Sequence, residues 1–181
     1  MTRRACFLDR DGVILDLLPD GTSVRTPDQV RLATGAADAI RDLRAAGLVV
    51  VVVTNQPGPA KGQYTAASVH GAMARMHALL AAAGTRVDDV LICWHHPEGG
   101  PGGDPTLVME CACRKPKPGL LLEAARKHDL DLAGSFLIGD RDSDAEAGRA
   151  AGCRTVQVGA PGIPGLTEAA QRVLGWLAGR G

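Results

Sequence analysis

The sequence lacks an excess of either charge and lacks long hydrophobic runs. Twenty Lys and Arg residues balance 20 Asp and Glu residues, so no overall field would recruit nucleic acid or an anionic membrane. The apolar stretch before Asp9 is too short for a signal-peptide core. The run from Leu48 to Val53 is far shorter than a membrane span. We therefore expect a cytoplasmic protein without nucleic-acid or membrane partners. Any specificity for anions must come from a local group of charged residues.

The sequence also lacks internal repeats, coiled-coil heptads and an interdomain linker. Its 181 residues, 45% of them hydrophobic, are enough for one sizeable core, so we expect residues 1–181 to form a single domain. The Gly/Pro-rich segment 97–105 is the only candidate for a long loop. Since the apolar pattern does not demand a dimer, we expect a monomer or a weak homodimer.

Apolar segments of strand length alternate with segments of helical period. This pattern is typical of a parallel sheet wrapped by crossover helices, so the predicted fold is a three-layer, doubly wound α/β fold. Strands are predicted at residues 5–8, 48–53, 90–92, 135–138 and 155–158. Helices are predicted at residues 36–46, 65–83, 118–127, 144–151 and 167–177.

Two neighbouring carboxylates, Asp9 and Asp11, directly follow the first predicted strand. Residues two apart point the same way while strand geometry persists, so both would emerge on one side of the strand end. Two like charges there call for a cation. Mg²⁺ prefers oxygen ligands and keeps positions open for a substrate phosphate. The pair therefore indicates a catalytic site with a divalent metal.

Polar residues end two further predicted strands. Thr54 and Asn55 follow the second strand, and Asp140 follows the fourth. The ligand crevice of an open parallel sheet lies outside the carboxyl ends of its strands, so we expect these residues to meet Asp9 and Asp11 there. Taken singly, Thr54 could be a turn residue and Asp140 part of a helix cap. Their combination favours one shared site.

Three of the five cysteines lie close to a histidine. Cys93-x-His95 and Cys111-x-Cys113 offer three thiolates and one imidazole, a full tetrahedral zinc set with no open position. We predict a structural zinc loop at about residues 93–113; the alternative is four unrelated residues in a flexible loop. Cys6 and Cys153, in apolar surroundings, are interpreted as core residues.

The order of these motifs resembles the haloacid dehalogenase-like (HAD-like) phosphatases. The four matching elements are Asp9-x-Asp11-Gly12, a strand ending in Thr54, Lys115, and Gly139-Asp140. More narrowly, residues 54–56, 93–97 and 111–119 resemble the D-glycero-D-manno-heptose 1,7-bisphosphate 7-phosphatases. The histidinol-phosphate phosphatases are their sister group and share the zinc loop.

The resemblance implies roles for the acidic residues and the metal. Asp9 would be the nucleophile, and Asp11 the general acid and then the general base. Mg²⁺ would be held by Asp9, Asp140 and the backbone carbonyl of Asp11. Lys115 and the Thr54 hydroxyl would complete the phosphate cradle.

Further residues are candidates for substrate contact. Asn55, Gln56 and Arg114 would bind the substrate or its phosphate, with the zinc loop fixing Arg114 beside Lys115. Asp144 would support the site without binding the metal directly. Two others stay open: His96 touches substrate or supports the loop, and Lys61 contacts a phosphate or is simply solvated. His70 and His77 are interpreted as solvent-exposed or capping residues.

The implied function is Mg²⁺-dependent hydrolysis of the 7-phosphate of D-glycero-D-manno-heptose 1,7-bisphosphate through an aspartyl-phosphate intermediate. One alternative is a histidinol-phosphate phosphatase. Another is a catalytically silent module that binds sugar phosphates. No large insertion separates the first two motifs, so we expect an open crevice without a large cap domain. Residues 18–29, residues 56–64 and the zinc loop should frame it.

Overall fold

Five parallel strands form one sheet in the order β3-β2-β1-β4-β5. The computed structural model describes residues 3–179, so the terminal residues 1, 2, 180 and 181 of the predicted domain lie outside the described range. The strands are β1 (Ala5–Leu8), β2 (Val49–Asn55), β3 (Asp89–Cys93), β4 (Phe136–Gly139) and β5 (Arg154–Gln157). Each predicted strand is present, with small shifts at its ends.

Helices connect and cover the strands. They are α1 (Ala36–Ala45), α2 (Gly58–Lys61), α3 (Ala66–Ala82), α4 (Gly119–His128), α5 (Asp142–Ala150) and α6 (Leu166–Leu177). The short helix α2 was not predicted, because residues 56–64 were interpreted as a loop. The N-terminus of α3 follows the sequence signal: the Thr65 side chain accepts a hydrogen bond from Ser68 N at 3.1 Å.

The sheet is covered on both faces. Cys6, Leu8 and Val50 pack into one hydrophobic cluster, whereas Ala5, Phe7 and Val51 pack into the other. This alternation follows from the two-residue period of a strand. Each fully buried aliphatic or aromatic side chain contributes about 1.5–3 kcal/mol relative to exposure. The continuous Val run of β2 is therefore explained by burial on both sides.

The chain direction across the sheet places the site. After β3 the chain crosses back over β1 and β2 to add β4 on the other side of β1. The strand order therefore reverses beside β1, and a crevice opens outside the carboxyl ends of β1 and β4. Asp9 and Asp140 follow those two strands directly. Among residues 3–179 no helix is long and apolar enough to cross a membrane.

The Gly/Pro segment 97–105 packs against α2. Asp104 N donates to Pro59 O at 2.9 Å. A Cβ at Gly103 would lie 2.1 Å from Ala60 O, so only glycine permits this close backbone approach. The segment therefore packs closely against α2 and supports it.

Candidate active site

A buried lysine joins two of the carboxylates at the crevice. Lys115 Nζ lies 2.8 Å from Asp9 Oδ1 and 2.6 Å from Asp144 Oδ1, and it donates to Val53 O at 2.8 Å. The contact with Asp144 is a buried ion pair. Lys115 is 4% exposed. Burial opposes its charge, but the carboxylates of Asp9 and Asp144 outweigh burial and raise the pKa of Lys115.

Asp140 brings a third carboxylate to this place. Oxygens of Asp9, Asp140 and Asp144 lie within 4.8 Å of one another, and we call these residues the carboxylate cluster. Asp140 Oδ1 is buried and has no hydrogen-bond partner. Burial, and then the charge of Asp9, raises the pKa of Asp140 to about 6. An unpartnered buried oxygen beside two more carboxylates fits a hard divalent cation such as Mg²⁺.

The structure brings Asp144 into the carboxylate cluster and directs the carboxylate of Asp11 elsewhere. Asp11 Oδ2 accepts from Arg10 Nε at 3.0 Å, and Asp11 Oδ1 accepts from Arg10 Nη2 and Val24 N, each at 3.0 Å. Arg10 is 0% exposed and also donates to Val24 O at 2.6 Å. Asp11 lines the same cavity as Asp9. Its carboxylate is surrounded by hydrogen-bond donors and is not part of the carboxylate cluster.

Gln56 is a supporting residue in this structure. Its side chain is fully buried and does not line the cavity. Gln56 Nε2 donates to Asp11 Oδ2 at 3.1 Å and to Thr54 Oγ1 at 3.0 Å, while Tyr64 Oη donates to Gln56 Oε1 at 3.2 Å. Gln56 was predicted to contact the substrate, and its observed contacts instead orient two residues that face the cavity.

Asn55 fastens the backbone of Lys115 to the sheet. Lys115 N donates to Asn55 Oδ1 at 3.1 Å, and Asn55 Nδ2 donates to Lys115 O at 3.0 Å. These paired contacts join the end of β2 to the segment before α4. Asn55 also lines the cavity, as do Thr54 and Arg114. The predicted residues of the phosphate cradle are therefore together, with Gln56 behind them.

The cavity has a volume of about 510 Å³ and mixed charge. Its acidic residues are Asp9, Asp11 and Asp144. Its basic residues are Arg25, Arg114, Lys115 and Arg141. Its rim includes parts of the predicted frame, residues 21–23 and 63–64. Such a lining suits a polar anionic molecule better than an apolar one.

The four predicted zinc ligands form a second cluster, which we call the zinc cluster. Cys93 Sγ lies 3.2 Å from Cys113 Sγ and 3.7 Å from Cys111 Sγ, and His95 Nδ1 lies 3.3 Å from Cys113 Sγ. Zn–S bonds of about 2.3 Å would place tetrahedral sulfurs about 3.8 Å apart. The Cys93–Cys111 separation matches this value, whereas Cys113 Sγ lies closer to both, at 3.2 and 3.4 Å. All four residues are within ligand reach of one centre.

The zinc cluster is linked to the lysine of the active site through a short stretch of chain. Cys113 is followed directly by Arg114 and Lys115. Arg114 Nη1 donates to His95 O at 3.4 Å, and Gly119 N donates to Ala112 O at 3.0 Å. These hydrogen bonds fix the segment between the zinc cluster and α4. Arg114 and Lys115 of this segment both line the cavity.

The remaining candidates lie outside the cavity lining. His96 Nδ1 accepts from Glu98 N at 3.0 Å, which supports the zinc loop, and Lys61 ends helix α2. His70 and His77 are exposed, as predicted. Cys6 and Cys153 are buried free thiols.

Sequence reasoning assigned no individual role to four residues at the site, although Arg25 and Tyr64 lie in segments that were predicted to frame the crevice. Arg25, Tyr64 and Arg141 line the cavity, and Arg10 holds Asp11 from behind. The position of Arg10 between two aspartates is a signal for an ion pair. Arg25 and Tyr64 carry no such signal, because their approach to the cavity depends on how two loops pack together.

Comparison with known proteins identifies a consistent set of relatives. A HAD-hydrolase-like family model matches residues 112–172. A D-glycero-beta-D-manno-heptose-1,7-bisphosphate 7-phosphatase of Rhodopseudomonas palustris is 42% identical over 153 residues, covering 83% of this chain and 80% of the relative. The protein of the same name from Escherichia coli K12 is 38% identical over 177 residues, covering 96% and 90%.

A solved structure of the same family is also similar to this chain. The D,D-heptose 1,7-bisphosphate phosphatase from B. bronchiseptica, complexed with magnesium and phosphate, matches with a TM-score of 0.79 and 33% identity. The match covers 94% of this chain and 98% of that one. The predicted α/β fold is confirmed, and no separate cap domain is present between residues 3 and 179.

Proposed function

The chain belongs to the HAD-like phosphatases, in the group formed by these heptose-bisphosphate phosphatases, and we propose that it hydrolyses the 7-phosphate of D-glycero-β-D-manno-heptose 1,7-bisphosphate. It is a phosphoric monoester hydrolase. The observation that carries the proposal is the buried contact of Lys115 with Asp9 at the sheet's switch point. The β anomer is proposed because the relatives' names specify it.

In the proposed reaction Asp9 attacks phosphorus. Its carboxylate forms an aspartyl phosphate, which divides one difficult displacement into two easier steps. Lys115, 2.8 Å from Asp9 Oδ1, orients that carboxylate and offers positive charge to the phosphoryl oxygens. The Thr54 hydroxyl, fixed by Gln56, is a further donor to the phosphate.

Asp11 acts as the general acid and then as the general base. It gives a proton to the leaving sugar oxygen and later takes one from the attacking water. Contacts from Arg10, Val24 and Gln56 hold its carboxylate at the wall of the cavity that would receive the substrate. Hydrolysis of phosphate monoesters is very slow without catalysis, so fixed donors and charges must supply much of the acceleration.

Two metals belong to the proposal. Asp9, Asp140 and the backbone carbonyl of Asp11 would hold Mg²⁺, with Asp144 beside them. Bound Mg²⁺ neutralises negative charge on the phosphoryl group. The zinc cluster would hold Zn²⁺ with all four positions filled by protein, which is a structural role.

The setting of the reaction is also proposed. We propose a monomer or a weak homodimer. We place the enzyme in the cytoplasm, where thiols stay reduced and available as zinc ligands. The single domain of residues 1–181 would then contain the whole site.

The test is phosphate release by the purified protein with Mg²⁺. Both anomers of the heptose bisphosphate and histidinol phosphate are compared at matched concentrations, with Asp9→Asn as the blank. A kcat/KM that is largest for the β anomer supports the proposal. Preference for histidinol phosphate would contradict it and assign the sister activity. Binding of the sugar phosphates without turnover would assign the silent module.

A further inference from the structure

Arg25 is a cavity-lining cation that takes part in no salt bridge among residues 3–179. Its side chain faces the same cavity as Asp9 and Asp11. The Thr22 hydrogen bonds, and to a smaller extent the charge of Arg25, lower the pKa of the exposed Asp20 carboxylate, but Arg25 and Asp20 form no salt bridge. An arginine at a cavity wall without a salt bridge is available to bind an anion from solution.

The backbone and side chain of Arg25 are both held in place. Arg25 N donates to Gln29 Oε1 at 2.9 Å, and the Ser68 hydroxyl of α3 donates to Arg25 O. The guanidinium carbon lies 5.9 Å from the centroid of the Tyr64 ring, within cation–π range. Tyr64 in turn donates to Gln56. Arg25 is therefore presented at a defined place on the wall.

The position of Asp11 indicates which cavity residues the leaving sugar would meet. The leaving oxygen must be within hydrogen-bond reach of the general acid. Val24 N contacts Asp11 Oδ1 at 3.0 Å, so the residue before Arg25 touches that acid directly. Thr22, Ser23 and Arg25 are neighbours of Val24 in the chain and line the cavity, so they are the residues beside this acid that a leaving sugar would meet.

The other basic residues of the cavity have different surroundings. Lys115 is shared by Asp9 and Asp144. Arg141 directly follows Asp140, on the metal side of the cavity. Arg114 donates to His95 O of the zinc loop. Arg25 is the cation that follows Val24, the residue in contact with the general acid.

We propose that Arg25 binds the second, non-reacting phosphate of the sugar bisphosphate and so selects doubly phosphorylated substrates. This inference rests on the proposed function. Guanidinium–phosphate contacts are charge-assisted and often bidentate, so a single arginine can discriminate strongly between a substrate with and without the distal phosphate.

The experiment compares two substrates that differ only by the distal phosphate: the β-heptose 1,7-bisphosphate and the heptose 7-phosphate. The measured quantity is the ratio of their kcat/KM values in wild type, Arg25→Gln and Arg25→Lys. Arg31→Gln is the matched control, because Arg31 is an exposed arginine of the same segment that does not line the cavity. Thermal unfolding of each variant checks the fold.

We expect Arg25→Gln to lower the ratio about 10- to 100-fold, mainly through KM for the bisphosphate, and Arg25→Lys to lower it less. Arg31→Gln should keep the wild-type ratio. An unchanged ratio in Arg25→Gln, or an equal loss on both substrates, would overturn the assignment of Arg25. A wild-type enzyme that does not prefer the bisphosphate would instead contradict the proposed function, so the two failures are distinguishable.

Discussion

The carboxylate cluster and the zinc cluster are built in different ways. Asp9 and Asp140 follow neighbouring strands of a sheet that is covered on both faces, so their separation is set by core packing. In the zinc cluster only Cys93 lies on a strand, while Cys111 and Cys113 lie in irregular chain. The first cluster is therefore preorganised by the fold, whereas the second depends on its own ligand contacts.

The two clusters meet at Lys115. Its amino group belongs to the carboxylate cluster, and its backbone follows Cys113 by two residues. Asn55 ties that backbone to β2. Loss of the nucleophile should thus leave the zinc cluster intact, whereas loss of a zinc ligand should reach the active site through Lys115.

The largest effect is expected for Asp9→Asn. An amide cannot serve as the carboxylate nucleophile, so turnover should fall by about 10⁴-fold or more. Zinc content should remain at the wild-type value, because Asp9 is not a ligand of the zinc cluster. Phosphate release and metal analysis on one preparation check both statements. Zinc loss in this variant would show that the clusters are not separable.

Lys115→Met removes the cation shared by Asp9 and Asp144. We expect a loss of about 10²- to 10³-fold in kcat, the range for a charged or donor group that stabilises a transition state. Lys117→Met is the matched control, since Lys117 pairs with Glu110 at the surface. Steady-state kinetics on both variants make the comparison. Equal losses would indicate a general charge effect rather than the buried contact.

Cys111→Ser should affect both clusters, and its effect on the rate should be smaller than that of Lys115→Met. Zinc content should fall, and activity should fall about 10- to 100-fold as Arg114 and Lys115 lose their fixed position. Cys153→Ala is the control, because Cys153 is a buried cysteine that is not one of the four residues of the zinc cluster. Full activity after complete zinc loss would contradict the link between the clusters.

Gly12→Ala tests the geometry of the carboxylate cluster and should have the smallest effect on rate. Gly12 has φ of +77°, and its Cβ would lie 2.5 Å from Asp140 Oδ2. Gly47→Ala shares the backbone strain, with φ of +83°, but would meet no atom within 4 Å. Each should lose about 1–2 kcal/mol of stability from the left-handed conformation. Only Gly12→Ala should weaken the binding of Mg²⁺, seen as a higher Mg²⁺ concentration for half-maximal activity in a metal titration.

Much of the fold was predictable because burial has a simple sequence period. The Val run of β2 and the acids after β1 and β4 indicate the sheet and its crevice from the sequence alone. The zinc ligands were predictable because their residue types are chemically distinctive. The crevice prediction depends on local pattern together with one topological rule, whereas the zinc prediction depends on residue type and spacing.

Side-chain partners were less predictable. The alternation of a strand placed Asp9 and Asp11 on one side, but Arg10 and Val24 decide where the Asp11 carboxylate rests. The helical turn of α5 brings Asp144 to Lys115. Helix α2 was missed because its Gly58 and Pro59 are typical of loops, and packing by residues 97–105 supports it.

Hydrogen exchange measured by mass spectrometry on wild type and Cys111→Ser tests the contrast between the clusters most directly. The account predicts faster exchange in residues 93–117 of the variant, while β1 and β4 keep their wild-type protection. Exchange that rises equally in β1 and β4 would show that the zinc cluster supports the whole fold. Unchanged exchange throughout would show that it does not hold the segment that carries Lys115. Either result would contradict the division between a site placed by the sheet and a loop held by its metal ligands.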